Sequence, residues 1–143
     1  MAIVTTLCTS FKVALLDAEM DFSSDTVQVF KIALYTDVAS LGAATTAYTT
    51  TGEVASGGGY TTGGKVLVIG QNPTSTGVVA YLNFDTINWF TTTIVARGAL
   101  VYSTTSGNPS VFAYDFGSNI TTSGGTFKVS FPLSTAVVAI LRI

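Results

Sequence analysis

The run Gly59-Tyr60-Thr61-Thr62-Gly63-Gly64-Lys65 has the G-x-x-x-x-G-K spacing with which backbone amides wrap the phosphates of a nucleotide. Such a loop works when a strand leads into it and a helix leaves it, opened by a Ser or Thr that holds magnesium. Here Val66 follows Lys65, a Thr/Ala/Gly stretch precedes Gly52, and Val66-Leu67-Val68-Ile69 is short and β-branched. The run is therefore expected to be a glycine loop entering a strand.

The acidic residues Asp17, Glu19, Asp21 and Asp25 cluster in D-A-E-M-D-F-S-S-D, which mimics the opening of a calcium loop. Phe22 stands where that loop turns on Gly, and Gln28 stands where its bidentate Glu belongs. A solvated corner between helix and strand is the expectation, with no metal. General acid and base work at neutral pH usually calls on His or on paired carboxylates, and the chain has no His. Ser and Thr are abundant, but no G-x-S-x-G occurs and no base is placed to take a hydroxyl proton. An enzyme is not expected, nor a cofactor. The single Cys8 excludes an internal disulfide and reads as a small buried residue. Arg97, amid apolar residues, is expected to pair with Glu53, Asp85 or Asp115. Asn119-Ile120-Thr121 matches a glycosylation sequon, which carries weight only on an exported chain. No export signal is read in MAIVTTLC, which lacks a basic residue.

These side chains must be positioned by short strands. One amphipathic helix is expected over 9–18, where Phe11, Ala14, Leu15 and Ala18 share a face and Thr9 or Ser10 is available as cap. Strands follow at 26–35, 65–69, 77–84, 92–103, 110–116, 126–131 and 136–143. The breaks between them include Asn72-Pro73-Thr74-Ser75, Gly107-Asn108-Pro109 and Thr122-Ser123-Gly124-Gly125. Phe127, Val129 and Phe131 alternate cleanly with Thr126, Lys128 and Ser130. Of the adjacent pair Trp89 and Phe90, one ring is expected inside and one outside. The fold class is all-β, an antiparallel β-sandwich or jelly-roll-like barrel with one short N-terminal helix. A single domain spans 1–143, with a helix or arm over 1–25 and a long Gly/Thr/Ala loop over 37–64. A loop of that length is expected to be an extended arm or to be ordered by a neighbour.

Composition bounds the partners. The chain has 143 residues, of which 48% are hydrophobic and 10% charged, with a net charge of −2. So few charges leave the surface poorly solvated and suit a chain covered by other proteins, including copies of itself in a homo-oligomer. No apolar run reaches the roughly 18 residues of a spanning helix. Six dispersed Lys and Arg form no basic stripe for nucleic acid.

The segments FKVALLDAEMDFSSDTVQVFKIALYT, TTAYTTTGEVASGGGYTTGGKVL, INWFTTTIVARGALVYS, FAYDFGSN and GGTFKVSFP resemble a family of small β-rich virion structural proteins of tailed bacteriophages. The likeness runs from about Phe11 to Pro132, and GEV followed by GYTTGGK, ARGALVY, and DFG before TFKVSFP are its most specific pieces. What the resemblance implies is a capsid decoration or cement protein that contacts other virion proteins, the major capsid protein first. It implies a place in the phage particle, assembled in the host cytoplasm, and it supplies no catalytic residues.

The expected mechanism has copies bridging neighbouring shell subunits through the N-terminal segment and loop 37–64, by buried apolar area and paired edge strands. Phe11, Leu15, Phe22, Tyr48, Tyr60, Trp89 and Phe90 are the candidate interface residues. Two rival readings stand beside it. One is a head-tail junction, tail or fibre protein. The other is a carbohydrate-binding β-sandwich in which Trp89, Tyr60 or Tyr102 stacks on a sugar.

Overall fold

Period-two patterning builds most of this chain, and the computed structural model describes it over residues 2–23, 28–132 and 141–143. The elements are β1 (Thr6–Leu7), α1 (Thr9–Leu16), β2 (Phe30–Tyr35), β3 (Lys65–Val66), β4 (Ile69–Thr76), β5 (Val79–Phe84), β6 (Ile87–Thr92), β7 (Val95–Ser103), β8 (Ser110–Thr121), β9 (Gly125–Val129) and β10 (Leu141–Arg142). They form an all-β, sandwich-like arrangement of antiparallel sheets. A five-stranded sheet runs β1-β8-β7-β2-β3, a three-stranded sheet β10-β5-β4, and a ribbon pairs β6 with β9.

Aromatic rings hold these sheets together. Phe22 stacks on Phe30 at 4.5 Å, and Phe84 of the three-stranded sheet meets Phe30 and Phe112 of the five-stranded one. A second series runs from Tyr60 to Trp89, Phe127 and Phe116 and ties the ribbon to β8. Each buried ring removes some 150–250 Å² from water, which makes these contacts the main inter-sheet adhesive.

Helix α1 buries Phe11 and Ala14. Its N-cap is Cys8 rather than Thr9 or Ser10, and no side chain caps it. The loop beside it does that work: Thr9 N–H donates to the Ala43 carbonyl at 2.8 Å, and the Ser10 hydroxyl to the Thr45 carbonyl at 3.4 Å. At the other end Ala18 takes φ 60°, while Ala18 and Glu19 amides bond back to Leu15 and Ala14. This is a Schellman closure with alanine where glycine is favoured.

Segment 37–64 is ordered by its own chain, not held out as an arm. Ala47 bridges Pro109, Glu53 bridges Tyr35, and Leu41 bridges Ile3. Tyr48 stacks on Tyr102 at 4.6 Å, so the segment also roofs the second face of the five-stranded sheet. That roof explains why Ile32, Ala33, Leu34 and Tyr35 are all buried in β2, where one exposed face was expected.

Other boundaries move for local reasons. Asn72-Pro73-Thr74-Ser75 is no break but lies inside β4, an edge strand whose ladder to β5 slips on either side of Gln71. An edge position tolerates Pro73 because its missing N–H is not needed. The reversal falls instead at Gly77, φ 60°. The expected 92–103 strand splits between β6 and β7, with Thr91 at φ 53°. Strand β8 continues to Thr121, its register to β7 jumping from Gly98↔Asp115 to Ala96↔Ile120. Residues 26–27 of the expected first strand and 136–140 of the last lie outside the described residues.

Candidate contact surface

Glu53 gathers the polar chemistry of the glycine-rich region. Its Oε1 accepts the Tyr60 hydroxyl at 2.7 Å and the Gly63 amide at 2.7 Å, and its Oε2 accepts the Tyr48 hydroxyl at 2.6 Å. Tyr102 donates to the Gly63 carbonyl at 2.6 Å and Tyr35 to the Thr49 carbonyl at 2.5 Å. The amide that would cradle a phosphate thus already serves an internal carboxylate. Lys65 leaves the loop as the first residue of β3, and its ammonium donates to the Asn88 carbonyl at 2.6 Å. Burial pushes Tyr35, Tyr48, Tyr60 and Tyr102 above the ordinary phenol range, and the Glu53 charge pushes them further. This cluster closes a sheet edge; its hydroxyls are held by each other's partners rather than aimed at a substrate.

The other sequence candidates fall into place around it. Arg97 pairs with Asp115, Nε to Oδ1 at 2.8 Å, as one of its expected partners. The guanidinium and then the Gly117 amide hold the Asp115 carboxyl below its usual range. At the acidic corner Gln28 accepts the Asp21 amide at 2.6 Å and donates to the Glu19 carbonyl at 2.9 Å. The residue standing where a calcium ligand would sit is therefore a backbone clamp; Asp25 lies outside the described residues. Cys8 is buried, its thiol pushed up by that burial.

Of the seven candidate interface residues, Phe11, Phe22, Tyr60 and Trp89 are buried in the core and cannot meet a partner. Large apolar rings are what sheet-to-sheet packing consumes first. Tyr102 is buried too, so none of Trp89, Tyr60 and Tyr102 offers a face to a sugar. Tyr48 is half-buried under its stack with Tyr102. Leu15 is half-buried and lines an apolar hollow of about 280 Å³ with Met20, Leu82 and Leu141. Phe90 alone of the seven is exposed, at 67%, with Trp89 turned inward as alternation requires.

The exposed apolar surface lies elsewhere. Where the N-terminal segment runs beside residues 40–46, with Val4 N–H donating to the Leu41 carbonyl and Leu41 N–H to Ala2, a hollow of about 530 Å³ opens. Ala2, Val4, Ser40, Ala43, Ala44 and Thr46 are among its lining residues, and none of its lining is charged. Helix α1 abuts it through the Thr9 to Ala43 bond, and Val13 and Leu16, on the same helix face as Thr9, stand out at 54% and 88% exposed. A second outward group is Val66, Val68 and Phe90 beside Lys65 and Asp85. The sequence carried a signal for the first of these. TSFKVALL is apolar beyond the stripe that Phe11 and Ala14 need, and a helix apolar on several faces expects cover on more than one. No helix among the described residues is long and apolar enough to cross a membrane. No protein family, no curated protein and no solved structure matches this chain.

Proposed function

We propose that this chain is a virion structural protein of a tailed phage, a decoration or cement protein that stabilises the head shell through protein contacts. The observation that carries the reading is the uncharged hollow lined by Val4, Ala43 and Ala44, with Val13 and Leu16 of α1 exposed as well. On a chain with only 10% charged residues, this face has little to keep it hydrated and gains by being covered. The resemblance of GEV, GYTTGGK, ARGALVY and TFKVSFP to phage virion proteins supplies the kind of partner: shell subunits, the major capsid protein first, and further copies of the chain.

Bridging proceeds through side chains rather than through strand pairing. The border strands β1 and β3 are two residues long and β4 is bulged, so these borders offer little straight edge. A rigid body holding an apolar face across a seam needs about 800 Å² per partner for a specific contact.

Purified particles test this. Val4→Lys with Ala44→Glu places charges in the hollow at exposed positions, and the variant should fold normally yet no longer co-sediment with particles stripped of the chain. Undiminished binding by that variant contradicts the reading. Densitometry separates the shell from its rival: on the order of hundreds of copies for a shell protein, roughly a dozen for a junction ring.

A further inference from the structure

We propose that the cleft between β3, Val68, the Asp85-Thr86 turn and β6 is a binding site for one pyranose ring of a neutral glycan. Phe90 is the aromatic ring that stands exposed among the described residues, at 67%, on the outward side of β6. It lines a concavity of about 200 Å³ together with Lys65, Val66, Val68, Asp85 and Asn88. That volume is below the roughly 300–1,000 Å³ of pockets for drug-sized ligands and suits a single ring.

The polar groups are set around this platform. The Asp85 carboxylate lies over Gly70, where an added Cβ would fall 2.0 Å from its Oδ1; the absent side chain makes room for it. The Asp85 amide is fixed to the Val68 carbonyl at 2.8 Å. Asp85 lines the cleft and is exposed, and a carboxylate is an acceptor that a ligand hydroxyl can donate to. Lys65 stands at the rim, its Nζ on the Asn88 carbonyl and 5.8 Å from the Phe90 ring centre, with donors to spare.

Opposite charges at one small rim favour a ligand that is neutral and rich in hydroxyls over an anion or a cation. The C–H face of a pyranose is weakly positive and lies on the negative face of an aromatic ring, while Val66 and Val68 extend the apolar wall. Its hydroxyls donate to Asp85 and accept from Lys65. The ring that serves is Phe90, not the buried Trp89.

Saturation-transfer NMR on the full chain with glucose, galactose, mannose and N-acetylglucosamine, and with their short oligomers, tests the assignment. At least one sugar should receive saturation on the C–H protons of one face, with affinity of about 1 mM. Phe90→Ala should abolish the transfer, and Asp85→Asn, which keeps the shape, should weaken binding roughly tenfold. Both positions are exposed, so circular dichroism should show both variants folded. Stronger transfer to oligomers points to a cell-surface polysaccharide and stronger transfer to monomers points to free sugar; either supports the site. No transfer to any sugar, or transfer unchanged in Phe90→Ala, overturns it. So does sedimentation showing that the chain self-associates through Phe90 and that sugar leaves this unaffected. Sugar binding without particle binding, or the converse, distinguishes this assignment from the virion reading.

Discussion

The Tyr60 hydroxyl donates to Glu53 Oε1 at 2.7 Å while accepting the Leu34 amide at 2.9 Å, so one side chain joins a loop carboxylate to the outer edge of β2. A strand edge is usually covered by another strand; here a phenol covers part of it. Tyr60→Phe keeps the ring against Trp89 and removes both bonds, leaving a buried amide without an acceptor. The expected loss is about 1–3 kcal/mol in urea unfolding. Glu53→Ala should cost more than Tyr60→Phe, because two hydroxyls and the Gly63 amide lose their acceptor together. Equal midpoints for Tyr60→Phe and the parent would remove the cluster from any stabilising role.

Alkali should unfold the chain through the same cluster. Tyr35, Tyr48, Tyr60 and Tyr102 all have folded values raised above the ordinary 10.0, by burial first and then by the Glu53 charge. The folded chain holds these protons more tightly than the unfolded one. Their contribution to stability is therefore complete below pH 10.0 and drains away as pH rises through the folded values. Tyrosinate absorbance from these four should appear together with loss of far-ultraviolet dichroism. Their ionisation in a chain that stays folded at pH 10.0 would contradict this.

Acid acts on the other ionic contact. Asp115 has a depressed folded value, chiefly from Arg97, so it contributes stability above its ordinary 3.8 that is lost as pH falls through the folded value. Arg97→Ala should therefore be less stable than the parent at neutral pH by a small, salt-sensitive margin, since the pair is solvent-accessible. Urea unfolding well below pH 3.8 should find the gap closed. A gap of constant size across pH would assign the effect to packing instead.

Backbone geometry gives the sharpest contrast. A Cβ on Gly64, at φ +76°, would sit 1.8 Å from the Ile32 carbonyl oxygen, a backbone atom of β2. Gly64→Ala should cost roughly 3 kcal/mol or more, whereas Gly125→Ala, with nothing within 4 Å, should be close to neutral. Ala18→Gly should move stability the other way, by roughly 1 kcal/mol, because Ala18 closes α1 in a left-handed conformation at φ 60°. Thermal unfolding of the three variants ranks them, and a destabilised Ala18→Gly would sink the helix-closure argument.

Alternation made the strands legible. Phe127 and Val129 inward with Lys128 outward read directly from the sequence, and alternation puts Trp89 and Phe90 on opposite sides of β6, but which of those two rings faces in is decided by packing. Arg97 was legible too, since an arginine in apolar company needs a carboxylate. Segment 37–64 was not. Its order comes from single bridges at Leu41, Ala47 and Glu53, each one residue long, which leave no periodicity to find. The outward apolar residues were illegible for a different reason: most of the large rings close the core, and the exposure of Val4, Val13, Leu16, Val66, Val68 and Phe90 depends on tertiary placement.

The clipped and bulged sheet borders set how this chain behaves when crowded. Two-residue strands at β1 and β3 and Pro73 without an N–H in β4 give an incoming polypeptide little hydrogen-bond ladder to template upon along those borders. Those borders are thereby poor templates for cross-β growth at high local density. A second molecule that approaches those borders is left to side-chain contact, which lacks the directional register of a ladder.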